Sequence, residues 1–301
     1  MTVREVRWER MLPDELEAAF AACPLVYFAY GLCEPHGPQN ALGLDTLKAH
    51  GIACRAAWAH GGVVAPPDFW HIHELGGYAS WAARAVGEVE RSWLTAVPPW
   101  VHFKNVLYQI RAADALGFHG ALLITGHYGP NWRDLKRLVE LVQPRVGVRL
   151  YALPDFEANQ PGFAQDGQSG GDHAGRVETS LLWAIEPECV DVSRIPPPDA
   201  GAHGPHFAMG PNAGEANRRI GERMVEDEVQ WLGQKARELL AAYDREAPTD
   251  RLRTFAETEV LWTEVVLPAL PTFETMQDRW GDQPPPPEGS VWRTNWPVPK
   301  L

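Results

Sequence analysis

Three polar segments of the sequence carry side chains that commonly bind metal ions or transfer protons. The first segment holds Glu34 and His36, two residues apart and followed by Gly37-Pro38, and Asp45 lies nine residues after His36. A carboxylate, an imidazole and a second carboxylate suit zinc, manganese or iron(II). Taken alone, the segment leaves two interpretations open: a metal site, or a helix-capping aspartate beside two surface polar residues.

The other two segments lie farther along the chain. His127 directly follows an apolar run, and a histidine at the end of a buried strand faces the crevice where parallel sheets bind ligands. His173 and Glu178 flank Gly175, and a glutamate in this setting acts as a general base or a metal ligand. The alternatives are a structural histidine at 127 and a glutamate that only stabilises the first turn of a helix.

Elements that position these segments can be predicted from the apolar pattern. Short apolar runs predict buried strands within 24–31, 121–125 and 146–156, with a further short strand at 62–65. Helical spacing predicts helices at 13–23, from about 46, at 101–116, at 132–142 and at 178–185. The alternation of strands and helices predicts an α/β fold with a mostly parallel sheet, whose polar loops meet at one edge.

Composition excludes several kinds of partner. The formal net charge of −12 argues against nucleic acid, because phosphate binding needs a concentrated basic face. No segment approaches the ~20 consecutive apolar residues of a membrane helix. The N-terminus has no signal-peptide apolar block, and the four cysteines form no CxxC pair. We therefore expect a cytoplasmic protein.

Together the three segments closely resemble the creatininase family of metal-dependent hydrolases. The family pattern Gly-x-x-Glu-x-His-Gly-Pro, followed by Asp-Thr, is matched at 31–38 and 45–46. A Gly-His pair with a nearby asparagine is matched by Gly126-His127 and Asn131. The pattern His-Ala-Gly-x-x-Glu-Thr-Ser is matched at 173–180. The matches follow the family's order and extend over roughly residues 20–240.

This resemblance implies a three-layer α/β/α sandwich that holds one or two divalent metals per chain (Zn, Mn or Fe). By analogy, Asp45 bridges two metal positions. Glu34 and His127 complete one position, and His36 belongs to the other. Some members have a further glutamate ligand where this chain has Gly129, so either Glu178 substitutes for it or the site holds a single metal.

The resemblance also implies roles in catalysis. A metal-acidified water attacks a carbonyl carbon, while His173 and Glu178 position the substrate and shuttle protons. The residues expected to contact the substrate are aromatic, amide and imidazole side chains near these segments: Trp70, His71, His73, Tyr128 and Asn131. For the loop that carries Trp70, His71, His73 and Tyr78, the alternative is a surface loop whose aromatic rings pack on the body.

The expected reaction is hydrolysis of a C–N bond in a small cyclic amide or formamide-type substrate. Because pocket segments such as Gln39-Asn40-Ala41 depart from the family pattern, ring opening of a cyclic keto-sugar or cyclitol is an alternative. A second alternative, motivated by Gly129, is a non-catalytic binding or assembly protein that retains the fold.

The extent of the resemblance divides the chain into an expected domain and a C-terminal extension. Residues 1–245 form the creatininase-like domain, and residues 246–301 form a helical, proline-rich extension. Trp292 and Trp296 favour an extension that packs on the domain or on a neighbouring subunit. The resemblance also implies a homo-oligomer, with a hexamer as one option.

Overall fold

The central element of the fold is a parallel sheet. The computed structural model describes residues 4–73, 83, 87–128, 131–159, 172–197, 208–246, 250–276 and 286–293. Within them the strands are β1 (Leu25–Tyr30), β2 (Val63–Val64), β3 (Gly120–Thr125) and β4 (Arg149–Pro154). They lie in the order β2-β1-β3-β4, and each neighbouring pair is parallel. This arrangement confirms the α/β prediction.

The helices agree with the predicted segments to within a few residues. Their bounds are α1 Pro13–Ala22, α2 Leu44–His60, α3 Pro99–Leu116, α4 Asn131–Val142, α5 Arg176–Ile185, α6 Arg218–Arg245 and α7 Phe255–Leu261. A π-helical segment, Trp262–Val266, and a further α-helical turn, Leu267–Ala269, prolong α7. In the described part of the chain, no helix combines the length and the hydropathy that crossing a bilayer demands.

The two faces of the sheet are buried against different helices. Side chains alternate along a strand, so Leu25, Tyr27 and Ala29 of β1 pack in one cluster with apolar residues of α2, α5 and α6. Val26, Phe28 and Tyr30 pack in a second cluster with residues of α3, α4 and α7. Helices on both faces of one sheet form the three-layer α/β/α sandwich that the motifs predicted.

The segment 252–276 packs against the same sheet face as α3 and α4. Leu261, Trp262 and Phe273 belong to the cluster on that face. The Asp134 carboxylate of α4 accepts the backbone N–H groups of Glu274 and Thr275, at 2.8 and 2.7 Å. These contacts are made within one chain. The division at residues 245 and 246 stays a prediction, and Trp296 lies outside the described residues.

Candidate metal centre

The parallel register brings the two polar loops together. Tyr30 pairs with Thr125, so β1 and β3 end at the same level, and the loops that follow carry Glu34 and His127. Asp45 reaches the same place from the first turn of α2, which begins at Leu44, two residues before its predicted start. The sheet edge therefore gathers three side chains that are far apart in the sequence.

Two glycines allow α2 to approach the strand ends closely. A Cβ added to Gly31, just after β1, would lie 2.6 Å from the Cβ of Asp45 and 2.5 Å from the backbone nitrogen of Thr46. A Cβ added to Gly126, just after β3, would overlap the carbonyl oxygen of Asp45. Asp45 is therefore held against both strand ends, and a larger residue at either position would displace it.

Asp45 lies at the centre of the cluster and faces a different histidine with each carboxylate oxygen. Its Oδ1 is 3.1 Å from Nε2 of His36, and its Oδ2 is 3.1 Å from Nδ1 of His127. The same Nδ1 atom is 3.1 Å from Oε1 of Glu34. Among the described residues, three groups of possible ligands have donor atoms within 4.8 Å of one another: Glu34 with Asp45 and His127, His36 with Asp45 and Glu178, and Glu34 with His36 and His173. Asp45 belongs to the first two.

The orientation of His36 suits a metal ligand. Its Nδ1 is 3.0 Å from the carbonyl oxygen of Glu34, an arrangement in which Nδ1–H donates and the Nε2 lone pair faces Asp45. Metal-binding histidines typically donate their other N–H to a carbonyl or carboxylate in this way. In the described part of the chain, Nε2 of His36 and Oδ1 of Asp45 are buried and make no hydrogen bond. Once Nε2 of His36 loses its proton, this pair of carboxylate and imidazole donors fits a zinc, manganese or iron ion.

The cluster contains buried carboxylates whose negative charge is stabilised by neighbouring histidines. Burial raises the pKa of Glu34, but His127 and His173 outweigh it and lower the value to about 2. Burial likewise opposes the charge on Asp45, but His36 and His127 hold its pKa well below the usual range. Burial lowers the pKa of His36, yet the Asp45 and Glu34 carboxylates raise it to about 9. The cluster thus favours a positive charge at its centre, which a divalent metal supplies.

Glu178 reaches this cluster from the first turn of α5. Its Oε2 accepts the backbone N–H of Ala174 at 2.6 Å and lies 3.8 Å from Nε2 of His36. Its Oε1 accepts a hydrogen bond from Nζ of Lys48 at 2.9 Å. Glu178 therefore touches the metal-binding cluster with one oxygen and a buried lysine with the other.

Lys48 and Asp155 are functional-site residues that the sequence analysis missed. Lys48 follows Asp45 by one helical turn, and its Nζ lies 3.4 Å from Oδ2 of Asp155 and 3.6 Å from the centre of the Tyr128 ring. Burial lowers the pKa of Lys48, but Asp155 and Glu178 reverse the effect and raise it. Asp155 directly follows β4, at the edge where ligands collect, and that position is a signal from which it could have been found.

His173 lies on the more open side of the cluster. Its Nε2 is 2.9 Å from the carbonyl oxygen of Pro35, and its Nδ1 is 3.9 Å from Oε1 of Glu34. The ring stacks on His36 with centroids 4.6 Å apart, and 17% of the side chain is exposed. The geometry places His173 beside the cluster; its catalytic role stays a prediction.

The histidines and the tryptophan that were predicted to contact the substrate lie at different distances from the cluster. His73 is buried with Nε2 4.0 Å from Oε2 of Glu34, so it lies next to the cluster. His71 lies behind the ring of His127, with centroids 5.4 Å apart. Trp70 is 57% exposed. Tyr78 of the same loop lies outside the described residues, as does Gly129.

Tyr128 and Asn131 are buried on the other side of the cluster. The Tyr128 hydroxyl donates to Oδ1 of Asp155 at 2.9 Å, and the Asn131 amide donates to the carbonyl oxygen of Tyr128 at 3.2 Å. These contacts show how the segment after β3 is held. They do not test the predicted substrate contacts.

Comparisons with known proteins agree with this fold. The family model described as Creatininase, creatinine amidohydrolase, matches residues 101–235. A comparison with curated proteins gives no match. Among solved structures, "Creatininase Mn" is 23% identical, covers 78% of this chain and 98% of its own, and has a TM-score of 0.60. A mutant creatininase of Zn-Zn type is 24% identical over 78% of this chain and 98% of its own, with a TM-score of 0.58. A crystal structure of creatinine amidohydrolase is 22% identical over 82% of this chain and 100% of its own, with a TM-score of 0.60.

The cluster offers the donor atoms of a candidate metal site, and the family model that matches residues 101–235 is that of a creatinine amidohydrolase. The chain is similar in fold to solved creatininases, and the family model matches its central part, residues 101–235.

Proposed function

We propose that this protein hydrolyses a C–N bond of a small cyclic amide or formamide-type substrate at a divalent metal site. The observation that carries the proposal is the shared position of Asp45, whose two oxygens each belong to a carboxylate–histidine group. Such a donor set is suited to zinc, manganese or iron(II). The creatinine amidohydrolase family model supports the choice of bond.

In this proposal Glu34, Asp45 and His127 hold one metal ion, and His36, Asp45 and Glu178 form a second position. A bound divalent metal lowers the pKa of a water molecule and polarises a carbonyl oxygen of the substrate. The protein contributes buried, preorganised ligands, because both glycines next to Asp45 fix the start of α2 against the strands.

The substrate approaches, in this proposal, from the side of His173. The Nε2 atom of His173 lies 2.9 Å from the carbonyl oxygen of Pro35 and its Nδ1 lies 3.9 Å from Oε1 of Glu34, so the ring stands beside Glu34 where it would position the substrate. When only the first metal position is filled, Glu178 carries a proton from the attacking water to the leaving nitrogen. His73, 4.0 Å from Glu34, contacts the substrate from the opposite side of Glu34. Trp70, on the surface of the same loop as His73, limits which substrates enter.

Metal analysis of the purified protein tests the metal site. We expect at least one zinc, manganese or iron ion per chain. Asp45→Asn should weaken metal binding by roughly 100-fold or more, since loss of a ligand's hydrogen-bond partner alone costs about 10–100-fold. Asp227→Asn on the exposed face of α6 is the matched control and should retain the metal. Metal-free wild-type protein, with stability unchanged by Asp45→Asn, would refute the proposal.

An activity screen against lactams, hydantoins, formamides and cyclic ketones tests the bond. Turnover of one of the nitrogen compounds, lost in Asp45→Asn and kept in Asp227→Asn, is the expected result. Turnover confined to cyclic ketones would support ring opening of a keto-sugar or cyclitol instead. A metal-loaded protein that converts none of the four classes would favour a binding protein.

A further inference from the structure

We infer that Lys48 makes the two metal positions unequal, so that the position formed by His36, Asp45 and Glu178 binds metal more weakly than the one formed by Glu34, Asp45 and His127. This inference rests on the proposed metal site. It concerns a residue that lies outside the three family-like motifs and inside the core of the protein.

Lys48 is a buried cation with a defined set of partners. Its side chain is fully buried, and its Nζ is 2.9 Å from Glu178 and 3.4 Å from Asp155. Burying an ammonium group is costly unless it is paired, and here two carboxylates and the face of Tyr128 surround it. The shorter of the two carboxylate contacts is to Glu178, so the lysine is tied to the metal-binding cluster and not only to the core.

The two groups of ligands differ because of this contact. In the described part of the chain, the carboxylate ion pairs of Glu34 and Asp45 are made with histidines, which are neutral when they bind a metal. Glu178 also faces His36, at 3.8 Å, but its shorter ion pair, at 2.9 Å, is with Lys48, a permanent cation. A metal ion held by Glu178 would therefore gain less attraction from its ligand and would be repelled by the nearby ammonium group, an effect that is strong inside a protein.

Lys48 also helps to keep Glu178 in place. With Oε1 bound to Lys48 and Oε2 bound to the N–H of Ala174, the carboxylate has one orientation in which Oε2 faces His36. The same lysine thus directs Glu178 toward the second position and lowers the affinity of that position. We expect the second metal ion to bind reversibly under conditions in which the first is retained.

Metal titration of chelator-treated protein tests the inference without any activity measurement. Mn²⁺ alone is added, and bound metal is counted by equilibrium dialysis, with electron paramagnetic resonance to detect coupling between neighbouring ions. Wild-type protein should bind two equivalents whose dissociation constants differ by at least about tenfold. In Lys48→Met the weaker equivalent should tighten by at least about tenfold, while the tighter one changes less than about threefold.

Two further variants act as controls. Lys48→Arg keeps the charge and should preserve the inequality of the wild type. Lys104→Met removes a lysine that is also paired with a glutamate, Glu259, but on the far side of the sheet, and it should change neither constant. If Lys48→Met does not fold, Lys48→Met combined with Asp155→Asn removes one charge of each sign and should give the same tightening.

The possible outcomes separate this inference from the proposed function. Wild-type protein that holds no metal as purified and binds no Mn²⁺ after chelator treatment would refute the proposed metal site. The role of Lys48 would be refuted if the wild type binds Mn²⁺ but Lys48→Met leaves both dissociation constants unchanged. A variant in which both constants shift equally, or in which the second position binds more weakly, would refute it as well. A wild type with one equivalent would support the inference if Lys48→Met binds two, and contradict it if the variant also binds one.

Discussion

Gly31→Ala is a one-methyl substitution that should displace a metal ligand. The added Cβ would lie 2.6 Å from the Cβ of Asp45 and 2.5 Å from the backbone nitrogen of Thr46. Carbon atoms in contact prefer separations of about 3.5–4.0 Å. Because the glycine has no left-handed backbone conformation here, the expected effect arises from this overlap.

The expected loss of stability and of metal affinity follows from the overlap of about 1 Å. Relieving it requires the first turn of α2 to move away from β1, and overpacking of this kind costs about 1–3 kcal/mol of unfolding free energy. A functional group must be held within about 0.5 Å of its working geometry. Since Asp45 belongs to both ligand groups, we expect both metal positions to lose affinity by roughly tenfold or more.

Two measurements on the same samples check this prediction. Urea unfolding of the metal-free protein gives the change in unfolding free energy, and Mn²⁺ titration gives the change in metal affinity. Gly214→Ala is the matched control, because a Cβ at Gly214 has no atom within 4 Å. A Gly31→Ala protein that binds Mn²⁺ within twofold of the wild type would show that the close approach of α2 does not determine the geometry of the site.

Two further predictions concern buried side chains outside the metal centre. Burial, with the nearby Asp155 carboxylate, raises the pKa of Glu228 from 4.5 to about 8. Its proton is therefore held by the folded state and released by the unfolded state between those values, so stability falls as the pH rises from about 4.5 to 8. Glu228→Gln should reduce this fall by roughly 2–4 kcal/mol in urea unfolding at pH 5 and pH 9, and the exposed Glu226→Gln should not. Trp292→Ala should speed amide hydrogen exchange in residues 286–293 and 87–94, because the buried indole donates to the Gly87 carbonyl at 2.8 Å. Unchanged exchange in both segments would contradict that prediction, and Trp58→Ala at the surface is its control.

Most of the fold could be predicted because its signals are local. Short apolar runs predict the strands and amphipathic repeats predict the helices. The alternation of strands and helices predicts a parallel sheet. Helix starts were less predictable. The N-cap of α2 is Gly43, which has no side chain to cap the helix, and so no local signal marks a start before Thr46.

The candidate site was predictable only where its residues stand in recognisable patterns. Glu34, His36 and Asp45 lie within one short segment, and His127 follows a clear strand. Lys48 carries no such signal, because a lysine in a helix is normally solvated and its burial depends on two carboxylates more than 100 residues away in the sequence. The pairing of Lys48 with Glu178 is a property of the packed layers, not of any segment.

Placement of Glu178 shows how a local pattern and the tertiary fold combine. The Asp172 carboxylate accepts the N–H groups of Val177 and Glu178 at 3.1 and 3.2 Å, which fixes the start of α5. Ala174 adopts φ of 49°, a conformation that non-glycine residues rarely take, and this turns its N–H toward Oε2 of Glu178. The His-Ala-Gly-x-x-Glu segment therefore orients the glutamate by itself, but only Lys48 from α2 and His36 from the loop after β1 determine what its two oxygens meet. We propose that a glutamate held in this way supplies the third ligand beside His36 and Asp45, where some creatininases have a glutamate and this chain has Gly129.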